Sequence, residues 1–255
     1  MFLLGKNDNE MRMCVEALSG LEYEYARDET GKRVKSSTAY RCVNKGKYVC
    51  IECGGPDVEC VRRIDHHNPG DPGYDGGPEK FFESSSIGQL IEMLTGMGHK
   101  FDDEYMYRAR LVAAADHCLM AAYKGLCPGV DPGELKEFRM RMRLESSGGK
   151  RNRQMIMFSR TETRTEIYAA PTILIGDEEV KDMRDKNYPE IQEVSAQLGT
   201  PILCAFSDRR RGEMKTALSN AKKETIKFWL KENPLNLDSV YGMPERGLAG
   251  GYKDL

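Results

Sequence analysis

Histidine is scarce in this chain: there are four, in 255 residues, and only one tryptophan, Trp229. Long apolar runs are missing. No stretch approaches the roughly 20 residues needed to cross a bilayer, and the apolar start of MFLLGKNDNE is too short for a secretory signal. The sequence therefore predicts a cytosolic, cytoplasmic chain with no membrane partner. Its eight cysteines are then expected as thiols, not as a disulfide framework. A strong positive charge is also absent, the formal net charge being −2. That argues against tight, non-specific binding to long nucleic acid, which feeds on a global positive field. A small anionic ligand needs only a local basic pocket and stays open.

With 40% apolar and 31% charged residues the chain is expected to be globular, as one large domain or two small ones. Residues 2–5 read as a short strand, and Met11, Cys14, Val15 and Leu18 fall at helical spacing. Residues 21–46 are polar, with a hairpin turn expected at Glu29-Thr30-Gly31. Tyr48–Ile51 and Cys60–Ile64 read as strands. Ser84–Ser86 cap a helix carrying Ile87, Leu90, Ile91 and Leu94 at i, i+3, i+4, i+7. Further helices are predicted over 103–124, 133–145 and 188–198. The alternating Thr161–Tyr168 reads as β-rich, Pro171–Ile175 and Pro201–Phe206 as strands, and 213–232 as one amphipathic helix. Trp229 is expected to anchor that last helix in a core. Strands alternating with helices predict an α/β class: an N-terminal, mostly parallel sheet flanked by helices, and a smaller C-terminal α/β domain. The small, basic run from Ser146 to Arg153 is the best linker, which places the boundaries at 1–145, 146–158 and 159–255.

Two of the four histidines stand side by side in Ile64-Asp65-His66-His67, at the end of a predicted strand. A Gly/Pro-rich loop, Asn68–Phe82, and the serine-capped helix follow. Ligands of α/β sheets collect at the carboxyl ends of strands. Glu52 would sit at such an end, Asp8 and Glu10 follow the first apolar run, and Asp116-His117 close an alanine-rich stretch. A buried charge in such a stretch needs a partner. Four separated acidic positions with imidazole among them suit a pair of divalent metals, and histidine favours a transition metal over magnesium. The ordinary alternatives are a hydrogen-bonded histidine pair, a helix-capping acid pair at Asp8 and Glu10, and a surface acid at Glu52, with Asp57 as its competitor. Cys50-Ile51-Glu52-Cys53, flanked by Cys42 and Cys60, offers a weaker zinc reading, because it supplies one tight pair where zinc knuckles use two.

The stretch "IDHH", followed by a loop and "ESSSIGQLIEML", resembles the third motif of the DHH phosphoesterase superfamily. Asp8-Asn9-Glu10 resembles its acid–any–acid first motif, Glu52 the aspartate of the second, and Asp116, 51 residues after Asp65, the fourth. Gly199–Leu203, Asp208–Leu218 and the glycine-rich Arg246–Gly251 resemble its C-terminal domain. The resemblance implies a metal-dependent phosphoesterase, with two manganese ions (magnesium or another divalent ion being the alternative) that activate a water. Asp8 would hold one ion; Glu10, His66 and Asp116 the other; Glu52 would bridge them. Asp65 would orient a histidine and His67 would face the phosphate. Arg246, Gly247, Gly250 and Gly251 would grip the substrate, a short oligonucleotide, cyclic dinucleotide or nucleoside bisphosphate, while Arg210 belongs to an arginine run that reads either as a solvated charge run or as a phosphate clamp. A homodimer is compatible with the resemblance. The chain departs from the family where a histidine often precedes the first acid pair: Leu3-Leu4-Gly5-Lys6 has none, and glutamates replace two aspartates. Those departures motivate a second reading, a non-catalytic nucleotide sensor or sequestering protein. His117 is expected to support the site or the core.

Overall fold

Three short apolar runs from the first 64 residues become neighbours in one sheet. The computed structural model describes residues 1–36, 38–208 and 213–254, and divides into two compact units, Met1–His117 and Cys118–Leu255. The first unit runs β1 (Phe2–Leu4), α1 (Asn9–Ala17), β2 (Tyr23–Tyr25), β3 (Gly46–Ile51), β4 (Val58–Ile64), α2 (Phe81–Ser84), α3 (Ser86–Gly96) and α4 (Asp103–His117). Its four strands lie in the order β2-β1-β3-β4 and pair in parallel throughout. The expected class, α/β with a parallel N-terminal sheet and helices around it, is what the chain forms. Leu3, Leu4, Ile51 and Ile64 are fully buried, each worth about 2 kcal/mol of apolar burial. Because all four strands run the same way, the ends of β1, β3 and β4 open onto one edge. In the polar 21–46 stretch, an antiparallel bridge between Arg27 and Arg33 closes the turn around Gly31.

The second unit runs α5 (Leu119–Tyr123), α6 (Pro132–Ser146), α7 (Arg153–Ala169), β5 (Thr172–Ile175), β6 (Glu178–Met183), α8 (Ile191–Leu198), β7 (Ile202–Asp208), β8 (Glu213–Ser219), α9 (Lys223–Glu232), β9 (Ser239–Met243) and β10 (Leu248–Asp254). Its six strands lie in the order β5-β6-β7-β8-β10-β9, mostly antiparallel. The helix predicted over 103–124 is interrupted at Cys118, where the backbone leaves the helical region. The helices that follow, α5 and α6, belong to the second unit, so the units divide at 117/118 and the basic run from 146 joins two helices inside the second.

Two expectations are corrected here. Thr161–Tyr168 is not a strand but part of α7. Asn152 caps that helix by accepting from the Met155 amide at 2.9 Å, and its buried residues, Ile156, Arg160, Thr163 and Ile167, recur at helical spacing. The threonines donate to carbonyls one turn back, Thr163 to Ser159 at 2.7 Å for instance, which reconciles β-branched residues with a helix. The eight-residue window alternated by coincidence; the 3.6-residue period emerges only over the full helix. The helix predicted over 213–232 is instead β8 followed by α9. Asn220, at φ +62, turns the chain between them, and the buried Thr216 and Leu218 repeat at the strand period of two. Trp229 is fully buried in the core of the second unit and donates to the Gly250 carbonyl at 3.1 Å.

Candidate metal centre

The edge of the parallel sheet delivers its residues in order. β1 ends into Gly5, Lys6 and Asp8; β3 ends at Glu52; β4 ends into Asp65, His66 and His67. The carboxyl end of α4 adds Asp116 and His117. A Cβ on Gly5 would stand 2.4 Å from the Glu52 carbonyl oxygen, so glycine is what lets the β1 and β3 exits run this close. Glu52 itself has φ +51, a left-handed conformation that costs a non-glycine residue of order 1 kcal/mol and that clusters at functional sites.

His66 is fully buried, and its Nε2 faces three carboxylates: Asp116 Oδ2 at 3.2 Å, Glu10 Oε2 at 3.7 Å and Glu52 Oε1 at 3.8 Å. Its other nitrogen is 2.9 Å from His117 Nδ1, and His117 Nε2 is 2.9 Å from the Gly76 carbonyl. A carbonyl only accepts, so His117 carries its proton on Nε2. With both rings neutral, His117 Nδ1 must then accept from His66 Nδ1, which leaves a lone pair on His66 Nε2. A lone pair surrounded by carboxylates calls for a cation.

The carboxylates show the same need. Glu52 Oε1 and Oε2 and Glu10 Oε2 are buried without a hydrogen bond, although buried polar atoms are nearly always paired. Burial, with Asp116 and Glu52 nearby, pushes the Glu10 carboxyl well above its usual range; the Ile87 amide opposes this. Burial pushes Glu52 up to about 6, against the pull of His67. Among the described residues, Glu10, His66 and Asp116 form one group whose ligand atoms all lie within 4.8 Å, and Glu52, His66 and His67 form another. An imidazole nitrogen among carboxylate oxygens suits a divalent ion, so the residues present fit a metal.

Asp65 sits behind this centre, fully buried. Its Oδ1 is 3.0 Å from His67 Nδ1 and accepts from the His66 and His67 amides at 2.8 and 3.2 Å; the Tyr40 hydroxyl donates to Oδ2 at 2.9 Å. Burial would raise the Asp65 pKa, but His67 and Tyr40 outweigh it and hold the carboxyl below its usual value. Gln89 fixes the backbone at the same point, accepting from the Asp65 amide at 3.2 Å and donating to its carbonyl at 3.0 Å.

Ser85 is the cap of α3, its hydroxyl accepting from the Gly88 amide at 3.1 Å. The helix N-terminus holds an anion, and that anion is the chain's own: the Ile87 amide donates to Glu10 Oε1 at 3.0 Å. The Gly/Pro-rich loop has its purpose in Gly76, whose carbonyl orients His117. Cβ atoms on Gly73 and Gly76 would stand 1.8 Å from Ser84 oxygens, so the loop fits only as glycine.

Asp8, expected as a metal ligand, stands outside both ligand groups found among the described residues. Its Oδ1 caps α1 by accepting from the Met11 amide at 2.9 Å, and its Oδ2 lies 3.0 Å from Lys6 Nζ. Burial works to lower the Lys6 pKa, but Asp116, Asp8 and Glu52 outweigh it and hold the ammonium above its usual range. Sequence reasoning missed Lys6, Tyr40, Gln89 and Gly76. Lys6 carried a signal in standing where a histidine was sought; Tyr40, from a polar loop, carried none.

In the second unit, Arg246 ends a 3-10 turn, Gly247 follows at φ +65, and Gly250 and Gly251 lie inside β10. That strand pairs on both sides, which places Gly250 and Gly251 inside the sheet, where a loop was expected. A Cβ at either would meet a backbone oxygen at 2.5 Å or less; these glycines serve close packing. Arg210 lies outside the described residues. Cys42, Cys50 and Cys53 pack in a hydrophobic cluster with Leu3 and Tyr48, and no cysteine belongs to either ligand group among the described residues. No helix among the described residues is long and apolar enough to cross a membrane.

No family model matches the sequence, and neither does any curated protein. Among solved structures, the chain is similar to a pGpG-specific phosphodiesterase, PggH from Vibrio cholerae, at 11% identity and a TM-score of 0.43, over 100% of this chain and 94% of that one.

Proposed function

We propose that the chain is a metal-dependent phosphoesterase that hydrolyses a small phosphodiester: a short oligonucleotide, a cyclic dinucleotide or a nucleoside bisphosphate. The observation that carries this reading is the convergence of Glu10, Glu52 and Asp116 on the lone pair of His66, with Glu10 and Glu52 oxygens buried without a hydrogen bond. The resemblance of Asp65-His66-His67 and the surrounding acids to the DHH motifs supplies the reaction class.

Glu10, His66 and Asp116 would hold a divalent ion, manganese first, with Glu52 beside them. When bound, such an ion lowers the pKa of an attacking water and withdraws charge from a phosphoryl oxygen. The chain's own residues do the rest. His117 and Gly76 keep the proton of His66 on Nδ1 and its lone pair toward the ligands. Asp65 accepts from His67 Nδ1, so that His67 in its imidazolium form would carry on Nε2 the proton passed to the leaving oxygen, ending as the neutral ring. Tyr40 and the two histidine amides keep Asp65 ionised for that task.

The test is hydrolysis of linear and cyclic dinucleotides, a nucleoside bisphosphate and pyrophosphate with manganese, read by chromatography beside His66→Ala. Turnover of a diester that the substitution abolishes is expected. If folded, manganese-loaded protein binds a nucleotide and turns over none of the panel, the activity reading fails and the sequestering one takes its place.

A further inference from the structure

Three separate features of the first unit bear on how many ions the centre holds. The acid expected to serve the first ion, Asp8, has one oxygen on the Met11 amide, while the other accepts no hydrogen bond and faces the Lys6 ammonium at 3.0 Å. His66 belongs to both candidate ligand groups, yet only its Nε2 faces the carboxylates, Nδ1 being bonded to His117. One nitrogen serves one ion, so the group that loses His66 retains only Glu52 and His67. The charges agree with this. Asp8, Glu10, Glu52 and Asp116 are four carboxylates, and Lys6 with one divalent ion brings three positive charges to them, whereas Lys6 with two ions would bring five, more than the carboxylates balance.

We propose that the Lys6 ammonium stands in for one of two metal ions, so that the chain holds a single divalent ion at Glu10, His66 and Asp116. This rests on the metal reading above and narrows it. A fixed ammonium beside Asp8 supplies positive charge at the same edge of the sheet without needing a ligand set.

The test uses the full chain, stripped with a chelator, dialysed against manganese chloride and freed of unbound metal by gel filtration. Manganese per chain is measured by plasma emission, and electron paramagnetic resonance shows whether ions are isolated or spin-coupled. One ion per chain with the spectrum of an isolated ion is expected. Two ions per chain, or a spin-coupled pair, overturns the inference and leaves the metal reading standing. No manganese retained by protein that circular dichroism shows to be folded overturns both. Lys6→Met removes the competing charge without adding a ligand. It should tighten manganese binding on the order of tenfold or admit a second ion; an unchanged affinity and an unchanged count overturn the role of Lys6.

Discussion

His117 bonds His66 Nδ1 and the Gly76 carbonyl, and so decides which nitrogen of His66 can bind a metal. Replacing an outer partner of a ligating histidine commonly costs about 10–100-fold in metal affinity. His117→Phe, which removes the acceptor for His66 Nδ1, should therefore weaken manganese binding by that range while His66 stays in place; calorimetric titration measures it. Glu52 makes the opposite kind of prediction. It is strained at φ +51 and buried with two unsatisfied oxygens, so it weakens the metal-free fold. Glu52→Gln should raise the stability of the chelated protein by about 1–2 kcal/mol and lower turnover at least tenfold, read by denaturant titration and by initial rates. A residue kept for stability would lose on both counts. At this scale the sequence was legible where chemistry is concentrated: His66, Glu10, Glu52 and Asp116 stood out as acids and imidazoles after apolar runs. Tyr40 did not, because a tyrosine in a polar loop looks the same whether it meets solvent or a buried carboxylate.

The elements that build the centre are short, and their joints do most of the positioning. β1, β3 and β4 have only 3, 6 and 7 residues, but each ends in the chemistry. The loop from Asn68 folds back so that Gly73 donates to the Asp65 carbonyl at 3.0 Å and Gly76 reaches His117. Gly73→Ala would force a Cβ to within 1.8 Å of the Ser84 carbonyl. Overpacking of this kind costs about 1–3 kcal/mol, and the loop would relieve it by pulling Gly76 away from His117. Both a lower melting temperature and weaker manganese binding are expected, whereas a loop that merely covers the surface would show the first alone. Strand ends and the serine cap were readable because apolar runs and capping residues are local signals. The strand at 213–219 and the helix across 161–168 were misread because short windows satisfy two periods at once, and only packing against neighbours selects between them.

For the molecule as a whole, the centre sets a dependence of stability on pH. Glu10 and Glu52 both hold protons more tightly in the folded chain than in the unfolded one, Glu52 at about 6 against an ordinary 4.5. The folded state therefore carries more protons in this window, and stability is lost as pH rises through it, by about 2 kcal/mol for Glu52 alone. Metal-free protein should melt higher near pH 5.5 than near pH 7.5, with manganese flattening or reversing the slope, since the ion takes the place of the protons. Differential scanning calorimetry with and without chelator decides it; a metal-free melting temperature that rises across that interval sinks the assignment of these acids. The division into two units has its own consequence for such measurements. The chain's single tryptophan lies at the core of the second unit, bonded to Gly250. Selective excitation of its indole makes fluorescence a reporter of that unit alone, dark to the unit that carries the carboxylates. Unfolding followed by emission and by a probe of the first unit will superimpose if the two melt as one, and will separate, with the metal shifting only one curve, if they do not.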